Sequence, residues 1–588
     1  MSPDPGSTED REPEADPGSV ADAELVGASD PGVDASYAAL LSRREVERIE
    51  GDEAPEAPGA HAGVARNTAI FSIATGLSRV AGLAREILAA SYFGTSGAAS
   101  AFTIAFQLPN LVRGLFADAA LSAAFVPVFA EFLEQKKRRE AILLASTLFW
   151  IILLVLGILS AIFILAAGVI IPLFIPGDQF TPQLVDLAVG LSQVLFPIVV
   201  LLGINGLLVG IVNSYHHFTI PALSPLVWNI VIIALLVLLR PAFDGPDQIY
   251  AYAIGVLIGT IIQLLMVIPV LGRIDFRLKF HLNWRDPGVR QVFVLLVPVT
   301  IALGVINVDL VINSVVGALI SESAPRAIDA AFRIYMLPQG IFSVALATVL
   351  FPSLSRLVAR GDTSGLREML GTGTRQNLLL LIPAAALIMV LASPVVELVY
   401  QYGAFNAAST EEVSTALFWF AFSLPFAGVN LLLTRTFFSL QRPWVPTALA
   451  GCNLVLNAAV SFALYKPLGI AGPVIGTVVA SAGMTAAQAF FLRRDLGGSI
   501  EGRQTAVTAI KILVASAVMA AVAWGVWAAL DSAVGDAGAL TRFVAVVPAI
   551  VAGSATYVVA VQVMKVREAA QIRTFLTSRL RRRPASGA

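Results

Sequence analysis

The 588-residue chain has one cysteine, four histidines and little charge. Cys452 by itself excludes a disulfide framework and a cysteine-based metal site. His61 and His281 have no metal-ligand spacing around them, and His216 and His217 read as solvated side chains of a turn. The chain contains no Walker loop, nucleotide fingerprint or Ser/His/Asp arrangement, so nothing points to phosphate-loop chemistry or a hydrolase triad. Charged residues make up 13% of the chain and hydrophobic ones 57%, whereas soluble proteins average roughly 25% and ~45 to 50%. A soluble globular fold is excluded.

What the sequence has in abundance is uncharged apolar stretches. Segments 142–177, 187–239 and 543–564 contain no Asp, Glu, Lys or Arg, and ~20 apolar residues suffice to cross a bilayer as helix. Runs broken by Pro, Gly or charge predict an all-α polytopic membrane protein of fourteen transmembrane helices. They lie near 66–93, 101–131, 141–176, 184–213, 219–239, 250–272, 289–320, 327–355, 376–400, 413–440, 444–465, 470–492, 507–530 and 542–564.

The net charge of -1 hides an asymmetry: residues 1–60 carry -12 and the remainder +11. Rich in Pro, Gly, Ala and acid, residues 1–65 have too little apolar surface to offset their ordering entropy and read as a disordered acidic tail. Ser42 and Glu45 have the spacing to cap one short helix there. The tail has no basic region followed by an apolar core, so no secretory signal is expected and the first hydrophobic helix directs insertion. Loops alternate in Lys and Arg, 24 on one side (Lys136 to Arg139 and Arg375 among them) against Arg240, Arg326, Lys466 and Arg542 on the other. The positive-inside rule then places both termini in the cytoplasm, and residues 567–588 form a basic cytoplasmic tail. The outward loops are short, which confines function to the bundle or its cytoplasmic rim.

Segment 335–354, YMLPQGIFSVALATVLFPSL, echoes 106–129, FQLPNLVRGLFADAALSAAFVPVF. Likewise NSYHHFTIPALSPLVWN (213–229) pairs with FSLQRPWVPTALAGCNLVLN (438–457), each a tight turn leading to Pro and a later Asn. Chance recurrence in Leu-rich helices is the plainer explanation. As a duplication, the echoes predict two parallel repeats, 66–285 (helices 1–6) and 286–495 (helices 7–12), followed by helices 13 and 14 in 496–566. Duplicated halves with Pro-broken helices point to a transporter whose site lies between the lobes.

Arg79 falls about 20 Å along its helix from Arg66, at mid-bilayer depth. Arg85 follows on the same span, Arg113 lies in the second and Arg333 in the eighth, five residues before Pro338. Facing lipid, each would cost roughly 2.5 to 3.5 kcal/mol. They therefore line a water-filled cavity or pair with acids, for which Glu86, Asp118 and Asp309 are the candidates. One alternative is a set of structural salt bridges such as Arg333 with Asp309. Four cations against three acids favours a cationic cavity, and forked guanidiniums bind phosphate through charge-assisted hydrogen bonds.

The stretches SRVAGLARE (78–86), AFQLPNLVRGLFADAALSAAFVPVF (105–129), VNSYHHFTIPALSPLVWN (212–229) and RIYMLPQGIFSVALATVLFPSLS (333–355) resemble the MurJ/MviN lipid II flippases, over roughly residues 66–566. Their superfamily also includes multidrug exporters and polysaccharide-lipid flippases. The resemblance implies two six-helix lobes around a V-shaped cavity, with helices 13 and 14 forming a groove for the lipid tail. It also implies that Arg79, Arg85, Arg113 and Arg333 hold the pyrophosphate of the substrate, with Glu86, Asp118 and Asp309 pairing or gating. Ser100, Gly114 and Phe332 stand where the family commonly has an acid, a second arginine and another acid.

The expected function is translocation of undecaprenyl-pyrophosphate-linked peptidoglycan precursor, lipid II, from the inner to the outer leaflet of the bacterial cytoplasmic membrane by alternating access. No catalysis and no bound cofactor are expected, and the drive is a coupling ion (Na+ or H+) or the membrane potential. Expected partners are lipid II, membrane lipids and cell-wall synthesis proteins, with no nucleic acid. The competing readings are an exporter of another lipid-linked glycan or a drug, a membrane-embedded glycan transferase, and a non-transporting cell-wall scaffold.

Overall fold

In the computed structural model, residues 60–569 are described except 117, 216, 275, 499, 536 and 537, and no side chains are described in 60–72, 113–123, 297–299 and 301–307. The acidic tail with its Ser42 cap, the basic segment from 570 onward, His61, His216 and the side chains of Arg113 and Asp118 therefore lie outside the described residues, as does any side-chain environment at Gly114. The chain divides after Thr68. Of the first unit only Ala60 to Thr68, the start of a helix, is described, and everything below concerns the second.

Every element among the described residues is helical. Helix α1 is Ala60–Phe93, α2 Gly97–Phe116, α3 Asp118–Glu134, α4 Arg138–Leu173, α5 Pro182–Leu195 and α6 Pro197–Ser214. Then come α7 Thr219–Leu239, α8 Tyr250–Arg273, α9 Pro287–Ala318, α10 Ala324–Pro338, α11 Val344–Ala359 and α12 Thr363–Val390. The last six are α13 Ala392–Tyr400, α14 Ala407–Ser439, α15 Trp444–Leu468, α16 Ala471–Asp495, α17 Gly502–Val534 and α18 Ala539–Val563.

Eleven helices among the described residues, short continuations included, are long and apolar enough to cross a membrane. The architecture is thus a polytopic helical bundle. The other expected spans, at 66–93, 101–131 and 289–320, coincide with α1, α2 with α3, and α9. Two expected spans are interrupted: 184–213 breaks at Pro197, and 376–400 breaks at Leu391, between α12 and α13. A third, 327–355, is one continuous course with a π-helical segment, Gln339–Ser343, inserted after Pro338. Proline lacks the N–H that would continue the α-helical ladder, and π segments recur at functional sites.

Helix starts follow their capping chemistry. Asp286 accepts from the Gly288 and Val289 N–H groups ahead of α9, with Pro287 in the first turn. Asp362 accepts from Gly365 N at 2.8 Å ahead of α12, and Asn406 from Ser409 N at 2.9 Å ahead of α14.

The apolar interior segregates. One set of buried side chains, with Phe102, Leu191, Phe196 and Tyr252, joins the end of α1 to α2, α4, α5, α7 and α8. Another, with Phe125, Phe129, Leu148 and Leu207, joins α3, α4, α6 and α8 to the start of α9. Tyr335, Leu381 and Phe420 unite α10, α12 and α14, while Leu354, Leu370, Phe437 and Leu492 tie α11, α12, α14 and α16. Helices α17 and α18 dock on α12 through Ile512 and Val561 against Leu379 and Ile382.

The asparagines of the second sequence echo each reach back to an earlier helix. Asn229 on α7 donates to the Ser78 carbonyl of α1 at 3.3 Å. Asn457 on α15 donates to Asp309 and Asn313 of α9. In each half the fifth expected span thus reaches the first through an amide.

Candidate functional site

Where α1 ends, side chains from both halves of the chain converge on one carboxylate. Glu86 is 5% exposed. Its Oε1 lies 2.7 Å from Arg85 and 3.1 Å from Arg333, and its Oε2 lies 3.4 Å from Arg326. Tyr252 of α8 donates its hydroxyl to the same Oε1 at 3.3 Å. Asp329 bridges Arg326 at 2.9 Å and Arg333 at 2.8 Å. Arg326, Asp329 and Arg333 are spaced three and four apart on α10, so one helical face presents all three. Buried charges at this density persist only when each finds partners. The Arg85 guanidinium also lies over the Trp228 ring, 4.8 Å from its centroid.

The group has three guanidiniums on two carboxylates, leaving an excess positive charge. The Arg85 Nε is buried and has no hydrogen-bond partner. The Arg333 side chain is 33% exposed, against 7% for Arg326, so it is the member of the cluster that faces open space. Arg79 is exposed and forms no ion pair among the described residues. One of its guanidinium nitrogens lies 4.0 Å from where a Cβ on Gly340 would stand, which places it against the π segment following Arg333.

Three expectations are corrected here. Arg326, assigned to an outward loop, is buried in α10 and ion-paired. Arg375, counted as a loop cation, is buried in α12 and paired with Glu501 at 2.6 Å and with Glu568. Asp309 does not pair with Arg333: it accepts from Asn457, while Arg333 finds Asp329 one turn away on its own helix and Glu86 across from it. Local i,i+4 geometry wins over a partner on the preceding helix.

Asp329 escaped the sequence analysis and Arg326 entered it only as a loop cation, although their spacing to Arg333 is a readable signal. Asp329 also supplies a carboxylate that position 332 does not. Phe332 packs instead against Tyr335 and Phe420, with ring centroids 5.6 and 5.7 Å apart. Ser100, wholly buried, accepts from the Arg326 backbone N–H at 3.3 Å, across α2 and α10. Ser100→Ala leaves that donor unpartnered at about 1 kcal/mol, and should lower the thermal unfolding midpoint in detergent without removing any charge from the cluster.

Beside the cluster the two halves are pinned together. Ala404 N donates to the Ser91 carbonyl at 2.8 Å, and the Thr95 and Ser409 hydroxyls are 2.8 Å apart. Gly403, at φ +60, comes so near that a Cβ there would stand 2.3 Å from the Ser91 oxygen. Only glycine allows both that conformation and that approach. Farther back along α1 the packing is lost: Ile73, Leu77 and Val80 are more than half exposed, as is Ile341 in the π segment. Around Arg79 the molecule is therefore open, and around Glu86 it is closed.

A family model described as lipid II flippase MurJ matches residues 89–542. The lipid II flippase MurJ of Burkholderia cenocepacia is 32% identical over 400 residues, 67% of this chain and 77% of that protein. A probable lipid II flippase MurJ of Rhizobium meliloti is 30% identical over 407 residues, 68% of this chain and 76% of that one. Among solved structures, lipid II flippase MurJ in an inward closed conformation superposes with a TM-score of 0.69 at 23% identity, covering 84% of this chain and 98% of that chain. An inward-facing MATE-family multidrug resistance transporter gives 0.59 at 14% identity, over 73% and 94%. The fold is common to both structures, but the sequence match is specific to one of them, and on that match the chain belongs to the MurJ family of lipid II flippases.

Proposed function

We propose that the chain translocates lipid II from the inner to the outer leaflet of the cytoplasmic membrane by alternating access, and that Arg79, Arg85, Arg113 and Arg333 receive the pyrophosphate. The observation that carries the reading is the excess of guanidinium over carboxylate where the two halves meet, with Arg79 unpaired at the open side. A pyrophosphate bears more charge than either carboxylate and accepts forked hydrogen bonds from several arginines at once. Entering past Arg79, it competes with Glu86 and Asp329 for Arg333. Once Arg333 turns to the substrate, α1 keeps only Arg326 from α10, and the closed end is weakened.

The arrangement assigned to the fold is fourteen spans. Helices α1 to α8 form one six-span lobe and α9 to α16 the other, with α17 and α18 offering a groove to the lipid tail. The segregated apolar clusters and the two matched asparagines support it. Both termini are cytoplasmic in this reading, which makes the pinned end of α1 the outer gate. Removing Arg375 and Arg326 from the loop tally leaves 23 cations against 3. A reporter active only outside the cell is expected to be silent when fused at Ala588 and active when inserted after Ala98, and the reverse pattern contradicts the orientation.

The protein performs no covalent chemistry in this account. Its drive is a coupling ion, Na+ or H+, or the membrane potential. Asp309 suits the ion: its carboxylate lies beside the amides of Asn313 and Asn457 and has no cationic partner among the described residues. Proteins of cell-wall synthesis remain its expected neighbours in the membrane. Replacing the endogenous flippase of a bacterium by this chain tests the reading. Growth and cell shape should be restored by the intact chain, and failure of a well-expressed, inserted chain to restore them contradicts it.

A further inference from the structure

At the far end of the bundle, a cleft of about 860 Å³ opens between the start of α17 and the residues that follow α18. Arg493, Arg503, Lys511, Lys565 and Arg567 line it. The one acid among its described lining residues, Glu501, is already engaged by Arg375 at 2.6 Å. None of the five cations meets a carboxylate among the described residues, and Lys511 donates to the Met564 carbonyl at 3.1 Å. No substrate arginine belongs to this group.

Two further observations turn the cleft into a site. Lys565 and Glu501 both adopt positive φ, +52 and +40, on the cleft wall. Lys565 closes α18 with the bond from Val566 N to Val561 O, 3.0 Å, that characterises a left-handed helix cap. Glycine holds such a cap with less strain, and a lysine there keeps a cation over the opening. Apolar side chains begin directly beyond the cations: Val507 and Ile510 of α17 are 49% and 61% exposed, and Val563 of α18 is 74% exposed. Charge at the rim with an exposed apolar stripe below it matches a molecule with a phosphate head and acyl chains. A soluble phosphate would leave the stripe unused.

We infer that this cleft binds the phosphate headgroup of an anionic phospholipid of the cytoplasmic leaflet, with its acyl chains along the exposed side chains of Val507, Ile510 and Val563. The occupant is a lipid of the bilayer rather than the cargo. Arg375, held by Glu501 and by Glu568, joins the same wall to α12. The bound lipid thereby fixes the α17–α18 pair against the half of the molecule on which it docks.

The test uses the full chain in detergent, titrated separately with phosphatidylglycerol, phosphatidylcholine of the same acyl chains, and glycerol phosphate, with binding read by native mass spectrometry. A basic side chain near an anionic lipid surface contributes about fivefold. The combined variant Arg503→Gln, Lys565→Gln, Arg567→Gln should therefore lose on the order of 100-fold in phosphatidylglycerol affinity and fall to the phosphatidylcholine level. Lys279→Gln with Arg285→Gln, outside the cleft, should change nothing. Lys565→Gly relieves the strained cap, so it should bind phosphatidylglycerol several-fold more weakly while unfolding at a higher temperature, which separates binding from folding. Unchanged lipid selectivity in the triple variant overturns the inference. So does glycerol phosphate binding as tightly as phosphatidylglycerol, which would make this a soluble-anion site. A synthetic peptide of residues 1–60 that phosphatidylglycerol cannot displace would assign the cleft to the acidic tail instead.

Discussion

Glu86→Gln should release the closed end of the molecule. The carboxylate is the common acceptor of Arg85, Arg326 and Arg333, and a neutral amide leaves three guanidiniums facing one another with Asp329 as their only counter-ion among the described residues. Removing one partner of a buried ionic group costs about 3 to 5 kcal/mol. Here the cost falls on the arrangement that joins α1 to α10, because separating those helices lets water and the opposite face of the cavity solvate the arginines. The equilibrium between closed and open outer ends should shift by on the order of 100-fold or more toward open. A disulfide between cysteines at Ser91 and Ala404, whose backbones are hydrogen bonded, reports this directly once Cys452→Ser removes the native thiol. The crosslink should form rapidly with Glu86 present and slowly in Glu86→Gln. Equal rates would mean the cluster does not hold the gate.

Arg333→Ala should abolish transport while leaving the protein folded. Without Arg333, Glu86 still has Arg85 and Arg326, and Asp329 still has Arg326, so no carboxylate is orphaned. What disappears is the cluster's most exposed guanidinium, the one proposed to exchange protein carboxylates for a substrate phosphate. Arg333→Lys should fail as well. Arg333 uses Nε toward Asp329 and an Nη toward Glu86, and a single ammonium does not reproduce that planar fork. Complementation should drop to background for both variants at near-normal membrane abundance. Loss of abundance rescued by Asp329→Asn would instead identify a purely structural pair.

The membrane class, the helical architecture and the arginines on α1 and α10 were legible because each rests on a local quantity: run length, loop charge, or a cation in an apolar segment. The cluster itself was less so. Arg326 lies only two residues into α10, after a short connection from α9, and hydropathy alone places that boundary in a loop. Asp329 sits at i,i+3 from Arg326 and i,i+4 from Arg333, a spacing that shows only once the helix start is known. Asp309 was matched to Arg333 by sequence proximity, yet its partner Asn457 comes from α15, far along the chain, and only the packing of α9 against α15 joins them. The second echo held that information in the shared asparagine, but not which helix each amide would reach. The helix breaks at Pro197 and Leu391 cross uncharged sequence, so hydropathy ran straight through them.

In the reading proposed above, this chain carries lipid II across the membrane through the arginines where its halves meet. The most direct measurement is the fraction of lipid II exposed at the outer leaflet of intact cells, scored by cleavage with an enzyme that cannot enter the cell, after the endogenous flippase has been depleted. With the intact chain supplied, outer-leaflet lipid II should return to its undepleted level, and with Arg333→Ala or Arg85→Ala it should stay at the depleted level. Normal exposure of lipid II in cells carrying either substitution would contradict the account.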